Sequence, residues 1–123
     1  MIRLLFGILL LAHGLIHAAI WLPPKTEKSP FDPKHSWLLS GLHLPAGFIR
    51  IFAIIMSSVA ALTLMSGGLG LLTHQSWWLI PMLIGAIDSL FLILVYFNPW
   101  LSFAVLLDIG VIYLLAIRHW IVE

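Results

Sequence analysis

The stretch LLFGILLLAHGLIHAAIWL, residues 4–22, decides the fold. It carries no charged side chain over a length that crosses a bilayer as a helix, for which about 20 apolar residues suffice. His13 and His17 nevertheless lie inside it, one helical turn apart. An imidazole at that depth is costly unless it faces protein, a ligand or water. Phe6, Leu10, His13, His17 and Ile20 share one face at helical spacing. Gly14 lies beside them and permits close approach of a second helix. Pro23-Pro24 ends the helix, because proline cannot continue the hydrogen-bond ladder.

Three more apolar runs follow, at about residues 45–66, 77–97 and 100–120. Gly67-Gly68 is expected to close the second of them. Asn98-Pro99 separates the last two. An unbroken helix over both would be roughly 65 Å long, far more than a bilayer, so an antiparallel hairpin is expected there. The expected architecture is all-α: one transmembrane domain, an integral membrane four-helix bundle.

Composition agrees. Of 123 residues 62% are hydrophobic and 9% charged, against about 25% charged in a soluble domain. Mean hydropathy is +1.11. The formal net charge of +1 implies no basic face for nucleic acid. There is no cysteine, which excludes disulfides, thiolate metal sites and thiol catalysis. Arg3 before an apolar run suggests a signal peptide, but the run exceeds the usual h-region of roughly 7–15 residues. It is read as a retained span.

Residues 23–46 hold Lys25, Glu27, Lys28, Asp32 and Lys34. Asp32-Pro33 is a good helix start, with aspartate as N-cap and proline first. A short interfacial helix over about residues 33–44 is expected, lying on the membrane. Trp21, Trp37, Trp77, Trp78, Trp100 and Trp120 flank the spans as an interfacial belt. Lys25, Lys28, Lys34 and Arg50 on the long-loop side outnumber Arg3 and Arg118 on the other. The positive-inside rule then places the long loop in the cytoplasm.

Two aspartates interrupt the later runs. Asp88 shares a stripe with Pro81, Gly85, Leu92 and Val95, and Asp108 one with Leu101, Val105, Ile112 and Leu115. Judged by depth, His13, His17, Asp88, Asp108 and Arg50 form one polar layer. Three chemistries suit it. It is a satisfied polar core, with Asp88 and Asp108 accepting from His13, His17 or Arg50. Or it is a metal site, since His at i and i+4 with two carboxylates makes a His₂Asp₂ set for a divalent ion, or a single His ligates a tetrapyrrole. Or it is a proton or substrate path. On the first reading Asp88→Ala strands a buried partner, at about 1–3 kcal/mol. His35, His43 and His74 are read as solvated or interfacial. No nucleophile motif, phosphate loop or dinucleotide fingerprint is present, so catalytic residues are not assignable.

The segment Leu11-Ala12-His13-Gly14-Leu15-Ile16-His17 resembles the first helix of a group of small, uncharacterised bacterial membrane proteins with an HGxIH motif on helix one of four. Trp77-Trp78 matches the Trp-rich start of their third helix. At the level of architecture the chain is also similar to DoxX-like four-helix proteins. The resemblance implies the fold and the importance of His13 and His17 only, and no activity; a bacterial inner-membrane location is expected. The function expected is that of an accessory or structural subunit, partnered by the lipid bilayer and by other membrane subunits or a second copy. The alternative is a metal- or tetrapyrrole-binding membrane enzyme or carrier.

Overall fold

The structure is a computed structural model that describes residues 1–29 and 32–116. Arg118, His119 and Trp120, assigned above to the fourth span, lie outside the described residues. Every regular element among the described residues is helical: α1 (Ile2–Trp21), α2 (Trp37–Gly41), α3 (Ala46–Leu72), α4 (Leu79–Val95), a 3₁₀ turn (Pro99–Leu101) and α5 (Ser102–Ala116). The long helices pack in series, α1 on α3, α3 on α4 and α4 on α5. α1 and α3 are long and apolar enough to cross a membrane; α4 and α5 are shorter and equally apolar.

The break at Asn98-Pro99 is present. Asn98 caps the 3₁₀ turn by accepting from Trp100 N–H at 3.0 Å. The glycine pair is different: α3 does not stop at Gly67-Gly68 but continues to Leu72. Both glycines keep helical backbone and give close approach instead. A Cβ on Gly68 would lie 2.9 Å from the Gly7 carbonyl oxygen of α1. One on Gly67 would lie 2.6 Å from Met82 Cβ and 2.9 Å from the Met82 backbone of α4. Adjacent residues on a helix face directions about 100° apart, so one pair seats two neighbours. Gly14 meets the Ala61 carbonyl in the same way, as its position on the packing face required.

The chain turns out of α3 at His74 and out of α2 at His43, each one residue past the C-cap. Each has φ 59°. The amides of His74 and Gln75 reach back to Leu71 and Gly70, and those of His43 and Leu44 to Ser40 and Leu39. Both are left-handed caps of the Schellman type, in which glycine is the usual residue. The His74 ring also accepts from the Arg3 guanidinium, so it ties the start of α1 to the end of α3. It is exposed, as expected of a loop histidine, and has this structural contact besides.

The short helix expected between the first two spans, α2, starts later than expected. Asp32 forms a turn with Lys34 and His35, and Ser36 is the N-cap, accepting from Leu39 N–H at 3.1 Å. Ser36 also donates to the Val95 carbonyl at 2.5 Å, and the Trp37 indole N–H donates to Leu94 O at 2.7 Å. The last carbonyls of a helix have no partner inside it. α2 therefore docks by capping α4. Two of the expected belt tryptophans are core residues: Trp21 is 1% exposed and Trp78 is 4%. Trp21 stands edge-on to Tyr96 at 5.2 Å, and Tyr96 donates to the Ile49 carbonyl.

The core has two apolar halves. Phe6, Leu10, Leu64, Leu71, Trp78 and Met82 fill one, and Trp21, Ile49, Ala53, Leu92, Ile93 and Tyr96 fill the other. A polar layer lies between them. Packing through Gly67 predicts that Gly67→Ala forces α3 from α4 and lowers the melting temperature. Gly47 has open space around its Cβ position. Gly47→Ala is expected to be neutral or to stabilise by up to about 1 kcal/mol. Thermal unfolding of both variants in detergent checks the pair; a Gly67→Ala protein as stable as wild type would refute the close approach.

Candidate functional site

α1, α4 and α5 each deliver one turn to the polar layer. On α1, the i, i+4 spacing brings the rings of His13 and His17 within 5.0 Å of each other, edge to face at 85°. On α5, Asp108 is 1% exposed. On α4, the residue that enters is Ser89, fully buried. Ser89 Oγ donates to Asp108 Oδ2 at 2.5 Å and lies 2.6 Å from His17 Nε2 and 3.3 Å from His13 Nε2. His13 Nε2 is 3.0 Å from Asp108 Oδ1.

With Asp108 ionised, these contacts assign the hydrogens. A carboxylate only accepts, so the single serine proton goes to Asp108. His17 must then donate Nε2–H to Ser89 Oγ, and His13 Nε2–H goes to the other carboxylate oxygen. The chain runs His17 to Ser89 to Asp108, with His13 joining at the end. Nδ1 of His17 is left as an acceptor, and it is buried without a partner.

Asp88 does not join this cluster. It lies one residue before Ser89 and therefore points about 100° away, toward α3. There it is half-buried beside the Ala60 backbone, and its Oδ2 has no hydrogen-bond partner. Arg50 is also elsewhere. Its guanidinium donates to the Leu22 carbonyl at 3.3 Å, beyond the end of α1. A cation suits a helix C-terminus, and α1 has no basic residue in its own last turn. The expected layer of five thus contains three of its members plus Ser89. Ser89 was missed because a serine in an apolar run reads as a packing residue. The available signal was phase: Ile80, Ile84, Ile87, Phe91 and Leu94 are all exposed and mark the opposite, outer side of α4.

The His₂Asp₂ set is not assembled, because Asp88 belongs to another interface. Among the described residues no three His, Asp or Glu side chains converge as a metal cage. The Nε2 atoms of His13 and His17 are already engaged. Nor is this a nucleophile triad. There the imidazole must take the serine proton, with aspartate on the other ring nitrogen; here that proton is directed to Asp108. What the arrangement does well is cross-link three helices through one carboxylate.

Single substitutions should separate the two aspartates. Ser89→Ala leaves the His17 N–H unpaired, at about 1–3 kcal/mol. Asp108→Ala strands both Ser89 and His13 and should cost more than Ser89→Ala, with Asp108→Asn in between. Asp88→Ala, which removes a carboxyl with one oxygen left unpaired, should cost less than either. Melting temperatures in detergent give the order; a larger loss for Asp88→Ala than for Asp108→Ala would reverse the assignment.

Comparison of the chain with protein-family models, with curated proteins and with solved structures gives no match.

Proposed function

We propose that the protein is a small integral membrane protein of the bacterial inner membrane. In this reading α1, α3, α4 and α5 each span the bilayer as a four-helix bundle. The chain serves as an accessory or structural subunit of a larger membrane complex. The membrane reading is supported by where the side chains lie. Ile8, Leu15, Ile51, Ile55, Leu62, Ile87, Phe91, Phe103 and Leu106 face outward, while His13, His17, Ser89 and Asp108 are buried. Water-soluble monomers rarely expose contiguous apolar patches above a few hundred Å². At 17 residues, α4 is at the short limit for a span. A thinned bilayer or the Trp77-Trp78 entry accommodates such a helix.

The observation that carries the subunit role is Asp88. Its Oδ2 is buried without a hydrogen-bond partner at the α3–α4 interface, beside the Ala60 backbone and one turn from the outward-facing Ile84 and Phe91. A carboxylate at membrane depth needs a partner, and the fold supplies none for Oδ2. A helix of another subunit, carrying an arginine, lysine or hydroxyl side chain, completes it once the edge of the α3–α4 pair shifts to uncover that oxygen. The chain of 13.8 kDa then docks through the outer edge of the α3–α4 pair.

The test is a native gel of gently solubilised membranes. Wild type should migrate in a larger assembly, and Asp88→Leu should be released from it while retaining its melting temperature. Equal migration of the two would remove the carboxylate handle, and loss of wild type on alkaline carbonate washing would remove the membrane reading. Because the chain has no cysteine, one introduced at Lys28 reports orientation, with labelling expected from the cytoplasmic side. Stoichiometric metal or pigment in the purified protein, lost in His17→Ala, would replace this reading with the ligand-binding one.

A further inference from the structure

Four of the six lysines and arginines stand where α1 gives way to α3. Lys25, Lys34 and Arg50 line one groove there, together with Pro24 and Asp32. Lys28 lines a second groove, which reaches down to Ala19 and Ile20 in the last turn of α1. Pro24 and Lys25 belong to both, so the two are continuous. The joint groove is cationic toward α3 and apolar against α1.

The charge in it is not neutralised from within. Asp32 is the acid of the groove, and its oxygens are already in use. Oδ1 accepts from the Lys34 backbone N–H at 3.0 Å, and Oδ2 lies 3.7 Å from Lys25 Nζ. That ion pair is long and partly exposed, and pairs of this kind hold weakly. Among the described residues Lys28, Lys34 and Arg50 make no salt bridge. Arg50 uses one N–H on the Leu22 carbonyl, of the five that a guanidinium carries. Three accessible cations thus converge on one carboxylate, with most of their donors free.

We propose that this groove binds the phosphate of an acidic phospholipid. Arg50 and Lys34 take the phosphate oxygens, the planar fork of the guanidinium pairing with two of them. The glycerol and the first acyl carbons lie against Ala19 and Ile20. That apolar wall favours a lipid over a free phosphate ester, which makes no use of it. Position favours a lipid too. On the membrane reading above, on which this inference rests, a groove that runs from the last turn of α1 to the second turn of α3 lies at headgroup depth. Trp37, exposed at the same end of the bundle, has the place of an interfacial anchor. Basic pockets between helices at the cytoplasmic face hold such headgroups.

The probe is phosphatidylglycerol, compared with phosphatidylcholine of the same chains, titrated into the full chain in neutral detergent and counted by native mass spectrometry. Each cation near a membrane surface is worth about fivefold in affinity. One phosphatidylglycerol should therefore bind roughly tenfold or more tightly than phosphatidylcholine, and Lys34→Gln should weaken it roughly fivefold. Asp32→Asn keeps the acceptor of the turn, removes the opposing charge and should tighten binding. Arg3→Gln makes the same change of net charge as Lys34→Gln at the opposite end of the bundle and should leave binding as in wild type. Glycerol 3-phosphate in excess should not displace the lipid; displacement would overturn the lipid as the source of the phosphate. Equal binding of the two lipids, an Arg3→Gln loss as large as that of Lys34→Gln, or weaker binding by Asp32→Asn would overturn the site itself. Incorporation into nanodiscs of phosphatidylcholine alone reports the membrane reading separately, so a protein that incorporates but shows no lipid preference refutes only the groove.

Discussion

A single carboxylate with almost no exposed surface, Asp108, imposes the interior arrangement. In a low-dielectric interior a charge must be paired or hydrogen-bonded. Asp108 has two oxygens, and each has a donor on a different helix: Ser89 of α4 and His13 of α1. Meeting that requirement fixes how far each helix can slide. A shift of one residue along α4 would replace Ser89 by Asp88 or Leu90, one a like charge and the other without a donor. The apolar halves on either side supply most of the buried area but little discrimination, since leucine and isoleucine pack acceptably in several registers. Burial drives the helices together; the polar layer chooses their alignment.

Small residues let the layer close. Gly7 meets Gly68 and Gly14 meets Ala61, seven residues apart on each helix and running in opposite directions. Such spacing brings α1 and α3 backbone to backbone. No equivalent contact joins α1 to α5. The two are linked across the histidine–aspartate contact, and the space beside it remains open. The cleft is therefore a consequence of where the glycines are. A bundle with small residues on α5 facing α1 would have sealed it.

The parts of this fold legible in the sequence were those set locally. Proline ends α1 at Pro23-Pro24 and breaks the chain at Asn98-Pro99 because its ring blocks the ladder wherever it stands. His13 and His17 were readable as an inward pair because the i, i+4 rule needs only one helix. Gly67-Gly68 misled because glycine serves two physical ends, terminating a helix or admitting a neighbour, and the choice depends on a partner elsewhere in the chain. Asp88 misled for a related reason. Depth along an axis can be counted from the sequence, but facing direction is angular, and neighbouring residues differ in it by about 100°. The more conspicuous acid was chosen over the serine beside it. Trp21 and Trp78 likewise have the composition of membrane anchors and the location of core residues, a distinction that only packing makes.

The docking of α2 has a mechanical consequence. Ser36 and Trp37 hold the carbonyls of Val95 and Leu94, so the charged connection between α1 and α3 is latched to the end of α4. Lifting that connection, by a protein pulling on it or a surface attracting its lysines, would release two acceptors at once and loosen the final turn of α4. Ile93, in that same turn, forms part of the cleft wall. A pull on that connection is thereby coupled to the width of the crevice between α1 and α5, which makes the loop a lever rather than a tether.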